Sequence, residues 1–157
     1  VIAVVFGLFE GKIIVTLEKT AFVPGETING KIKLDLSHPK KARELRVEFY
    51  GEQEVTTRDA KGQTSRKTNH VFSALQRIDG EREYKPGEEF EFSLVIPQFS
   101  RVDMGLSGVL ATMTTASVSH PFGGTGIRGY YVHASLDVPN AFDVNDRVKV
   151  TVNPNAV

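Results

Sequence analysis

Residues 12–52 read KIIVTLEKTAFVPGETINGKIKLDLSHPKKARELRVEFYGE, and the spacing of their apolar side chains decides the fold class. Ile13, Val15 and Leu17 fall on alternate positions, then Ile28, Ile32, Leu34 and Leu36, and then Leu45, Val47 and Phe49. Successive side chains of a strand point to opposite faces, so each run predicts one buried and one wet face. Turn chemistry separates the runs. Pro24-Gly25-Glu26 combines the fixed φ of proline with the tolerance of glycine for positive φ, and Ser37-His38-Pro39 interrupts the chain a second time. The stretch therefore reads as three consecutive strands of an antiparallel, all-β fold.

The same pattern continues on the C-terminal side. The polar segment 52–68 has Asp59-Ala60-Lys61-Gly62 at its middle, which predicts a long hairpin over about 43–58 and 65–78 with an exposed tip. Arg58, Asp59, Lys61, Arg66 and Lys67 lie at that tip and are the candidate partner-binding residues; solvated charge at a hairpin end is the plainer reading. A second Pro-Gly-Glu turn, Pro86-Gly87-Glu88, leads into Phe90, Phe92, Leu94 and Ile96 on alternate positions, and Pro97 ends the strand. Residues 104–127 carry no charged side chain. Within them Leu106, Val109, Leu110, Met113 and Ala116 recur at helical spacing and predict one short helix in 104–118, packed on the sandwich. Gly123-Gly124-Thr125-Gly126 lacks the lysine and hydroxyl of a phosphate loop and reads as a turn. Tyr130, Val132, Ala134 and Leu136 then alternate inward, and 147–152, RVKVTV, alternates once more. Residues 1–9, VIAVVFGLF, read as a packed first strand. The expectation is one domain over 1–157, a two-sheet antiparallel immunoglobulin-like sandwich.

Composition narrows the function. Nineteen Lys and Arg balance nineteen Asp and Glu, so no global field draws the chain to nucleic acid. The absence of cysteine removes disulfides, thiol nucleophiles and thiolate metal sites, and fits a reducing, cytoplasmic setting. No apolar run is long enough for a transmembrane helix. His38, His70, His120 and His133 show no metal-ligand spacing, no Ser sits in GxSxG, and no calcium-loop pattern occurs. The expectation is no catalytic residue, no metal and no cofactor.

The order GKIIVTLEKTAFVPGETINGKIKLDL, ARELRVEFYGEQE and a second PGEE leading into FEFSLVIP resembles the amino-terminal domain of the arrestin family, over roughly 11–152. The resemblance implies an arrestin-like sandwich followed by a second similar domain, and an adaptor or regulatory protein that binds protein or peptide partners through sheet edges and loops. It also implies that the hairpin at Asp59 corresponds to a partner-probing loop. Arrestins read phosphorylated tails with lysines before the first strong strand and with a buried arginine near the end of the last one. Here those places hold FGLFE and Asn153, so the phosphate trigger is not expected, and the sporulation-control and trafficking branches are the nearer ones. A ligand- or carbohydrate-binding sandwich is the alternative, which exposed Tyr50 and Tyr131 on one sheet face would support.

Overall fold

The computed structural model describes residues 11–99, 127–141 and 143–154. Ten strands and no helix occur among them: β1 (Gly11–Leu17), β2 (Ala21–Phe22), β3 (Thr27–Leu36), β4 (Lys40–Ala42), β5 (Leu45–Arg58), β6 (Thr64–Asp79), β7 (Arg82–Tyr84), β8 (Glu89–Val95), β9 (Ile127–Leu136) and β10 (Val144–Val152). The helix expected in 104–118 and the strand expected in 1–9 lie outside the described residues.

Two sheets form the sandwich, one ordered β1-β3-β8 and one ordered β2-β10-β9-β5-β6, with β4 and β7 as a small separate ribbon. Every pairing is antiparallel except that of β2 with β10, where Thr151 meets Ala21 and Val152 meets Phe22. The alternation read from the sequence becomes the core. Ile13, Val15, Leu17, Ile28, Ile32, Leu34 and Leu36 face inward from the smaller sheet, and Leu45, Val47, Phe49, Tyr130, Val132, Ala134, Leu136 and Val148 from the larger one. Each such aliphatic side chain stabilises the fold by about 1.5–3 kcal/mol on burial, against the entropy of ordering the chain. Gly30 fills the gap in the β3 pattern between Ile28 and Ile32. The Phe92 ring covers it from β8, so closely that a Cβ there would stand 2.6 Å from the ring.

The two Pro-Gly-Glu turns fold alike. Gly25 and Gly87 take φ of 86° and 84°, a region that costs residues other than glycine steric energy. The following glutamate reaches back three residues, so that Glu26 Oε2 accepts the Val23 N–H at 2.7 Å and Glu88 Oε2 the Lys85 N–H at 2.7 Å. A cation then occupies the same carboxylate: Lys19 at 2.8 Å from Glu26, and Arg82 at 3.0 Å from Glu88. These cations, and after them the backbone donors, hold both carboxyls below their ordinary range. Arg82 also bonds Asp79 at 2.8 Å and lies over the Tyr84 ring at 4.2 Å. The Tyr84 hydroxyl donates to the Gly80 carbonyl at 2.6 Å, which pins the turn between β6 and β7 to the buried ring.

Candidate functional site

β5 and β6 are the longest strands among the described residues, and their hairpin carries all five residues singled out at its tip. Pairing runs without interruption from Gly51 opposite Val71 to Arg58 opposite Thr64, and the residues of its end, 58–68, are all exposed. Asp59 belongs to the turn itself. Its Oδ1 accepts the N–H groups of Lys61 at 2.9 Å and Gln63 at 2.8 Å, and its own N–H bonds the Gln63 carbonyl at 2.9 Å. Such side-chain acceptance is what makes Asp a turn former. Gly62, at φ 81°, completes the loop, and Arg58 Nε donates to its carbonyl at 3.3 Å. Arg66 stands 3.6 Å from Glu54. The five residues are thus brought onto one projecting arm, with Asp59 as its fastener and Arg58, Lys61, Arg66 and Lys67 as its exposed cations.

Below the arm, the outer face of the larger sheet is zippered by charge. Acidic positions in and beside β5 meet basic partners: Glu44 meets Arg46 and Arg77, Glu52 meets Arg147, and Glu54 meets Arg66 and Arg128, while the His70 ring lies 3.9 Å from Glu48. Arg46, Glu48 and Glu52 lie on the water-facing side of β5, and cross-strand pairing leaves all three half-buried there. In the middle of this lattice Tyr50 is only 3% exposed. His70 stacks on its ring at a centroid distance of 3.7 Å, and Arg147 lies 4.2 Å over the neighbouring Tyr131 ring. The aromatic faces on which a sugar ring would stack are therefore already covered, which counts against the carbohydrate alternative. His133 sits out of phase with the apolar face of β9 and is half-buried. Burial lowers its pKa, against the side-chain hydrogen bond to Asn145, which raises it.

Among the described residues, no group of three His, Cys, Asp or Glu is placed to hold a metal ion. No helix among them is long and apolar enough to cross a membrane.

The family model for the arrestin (or S-antigen) N-terminal domain matches residues 12–99. The chain belongs to the arrestin family. The arrestin match spans β1 through β8, including both Pro-Gly-Glu turns and the whole basic hairpin. Among solved structures the arrestin-like chain is similar to Spo0M, a sporulation control protein from Bacillus subtilis, at 20% identity and a TM-score of 0.59. The alignment covers 93% of this chain and 50% of Spo0M, so the chain spans about half the length of that neighbour. No curated protein matches.

Two features of this arrestin domain escape the sequence reading. The first is Asp146, which faces inward from β10 in phase with Val144, Val148, Val150 and Val152 and is 4% exposed. Burial raises its pKa, and the backbone N–H bonds of Val15 and Arg147 act in the opposite sense. Val15 lies on β1, so this carboxylate ties the edge of one sheet to the other. Its signal was present, a polar residue on an apolar phase, but only once the last strand is extended back to Val144. The second is Phe72, whose φ of 52° has no sequence signature. Asn153, named above as standing in the place of the arrestin arginine, lies just past β10, where its N–H bonds the Phe22 carbonyl at 2.9 Å.

Proposed function

We propose that this arrestin domain is a non-catalytic adaptor or regulatory module that binds protein partners with the β5–β6 arm as its principal contact. The observation that carries the reading is the arm itself. Four exposed cations project from a two-stranded ribbon, and the single acid among them has its carboxylate committed to the turn. In a chain of net charge zero, such a projection concentrates recognition in one place. Membership of the arrestin family supports the adaptor class, and the ion-paired outer face leaves little other chemistry on the larger sheet. Residues 1–157 form one arrestin-type sandwich, one of a similar pair in a longer cytoplasmic protein; coverage of half of Spo0M fits that arrangement.

The test is affinity capture from native lysate with the intact chain and with residues 60–62 deleted, both checked for an unchanged melting temperature. Loss of a reproducible set of captured proteins on shortening the tip is the expected result. An identical set from both proteins removes the arm from the reading.

A further inference from the structure

β6 ends the larger sheet, and among the described residues it is paired only with β5. It runs sixteen residues, whereas strands of about five or six are usual. A bulge divides it. Phe49 faces Ala74 and Gly51 faces Val71, so Phe72 and Ser73 together oppose the single residue Tyr50. Phe72 takes the left-handed conformation there and stacks on Phe99 at 4.3 Å. Beyond the bulge Thr64–Val71 pairs regularly with β5, and alternate residues of that half direct N–H and C=O groups away from the sheet.

We infer that Thr64–Val71 is a strand-addition site for an extended acidic peptide of a partner protein. The inference rests on the adaptor reading above and specifies its chemistry. Main-chain hydrogen bonding along an edge that no described strand occupies supplies affinity, and side chains on alternate positions supply selection. Arg66 and Lys67 lie on this edge with no acid between Thr64 and Val71, and Arg58 and Lys61 stand at its open end. On the neighbouring strand β5, Glu54 already lies between Arg66 and Arg128, and Glu52 beside Arg147. An acidic strand is therefore complementary. A second copy of β6 would set cations against cations, which disfavours self-pairing. The bulge at Phe72 limits the site to the outer half, since the register breaks there.

The probe is a dye-labelled octapeptide of alternating Glu and Thr, a length that matches Thr64–Val71. It is titrated by fluorescence anisotropy against the whole chain, beside its Lys-Thr counterpart and a version N-methylated on alternate residues. The Glu-Thr peptide binds, and salt weakens it. N-methylation lowers affinity about tenfold or more by removing the ladder hydrogen bonds. The R66E/K67E double variant, at wild-type melting temperature, loses a similar factor, and amide exchange slows within Thr64–Val71 when peptide is bound. Equal binding of the N-methylated probe, protection on β1 or β8 instead, or binding to vesicles of anionic lipid with none to the peptide would each overturn the inference. If no peptide binds while shortening the tip still strips captured partners, strand addition falls and the adaptor reading stands.

Discussion

Asp146 places a titratable group between the sheets, and its sign can be worked out. Burial raises the folded-state pKa above the unfolded value, so the folded protein binds the extra proton through that window. Stability from this group is present at acid pH and is lost as pH rises from the unfolded value, about 3.9, through the folded one. D146N keeps the side-chain shape and cannot titrate. Thermal melts of both proteins from about pH 4 to pH 7 are expected to show wild type losing ground to D146N as pH rises; a pH-independent difference, or one of opposite slope, would contradict this. Gly30 gives a second prediction. Its missing Cβ would lie 2.7 Å from the Thr16 carbonyl oxygen as well as against Phe92. Backbone cannot step aside, so G30A costs about 2–3 kcal/mol by chemical denaturation. A loss under about 0.5 kcal/mol would mean that β3 and β8 pack differently. In the sequence Gly30 was only a missing beat in the β3 pattern, and the ring that fills it sits on β8, sixty-two residues away.

The strands themselves were legible, because one buried face imposes period two whatever the tertiary partners are. The hairpin read as 43–58 and 65–78 is β5 and β6 at Leu45–Arg58 and Thr64–Asp79. What the pattern could not carry is the bulge, since a register break depends on which residues face each other across strands. Bulging at Phe72 shifts the phase of β6, so that Asn69 and Val71 before it and Phe72, Ala74, Gln76 and Ile78 after it are the better-buried positions. The stack of Phe72 on Phe99, and of Phe99 on Tyr130 at 5.8 Å, holds the left-handed residue in place. Truncation to Ala removes that packing and keeps the strained φ; truncation to Gly removes both. F72G is therefore expected to be more stable than F72A by about 0.5–1 kcal/mol in urea unfolding, the reverse of the ordinary strand preference. F72A as the more stable of the two would show that the bulge relaxes when the ring is gone. The tip divides in a similar way. Asp59 accepts two N–H bonds within the loop, so D59A destabilises the hairpin by about 1 kcal/mol, while K61A, at an exposed position, changes global stability by less than about 0.5 kcal/mol. Equal melting temperatures for D59A and K61A would remove Asp59 from its role as the fastener.

As a whole the molecule is a sandwich whose faces are closed by ion pairs and whose hairpin arm stays open to solvent. Its fold was readable from alternation and from the order of weak arrestin-like segments, and the family match to residues 12–99 agrees with both. The candidate site was readable only as composition. Sequence shows four cations near Asp59, but not that the aspartate is committed to the turn, nor that the aromatic face proposed for sugar is covered by His70 and Arg147. Both facts come from contacts across strands. The function proposed for the molecule needs the sandwich as a rigid support and the arm as its recognition element. Amide hydrogen exchange on the whole chain, free and saturated with a captured partner, tests this most directly. Slowing concentrated in 58–71, with β3 and β10 unchanged, is the predicted result. Slowing confined to β1, β3 and β8, while the arm exchanges as it does in the free protein, would contradict it.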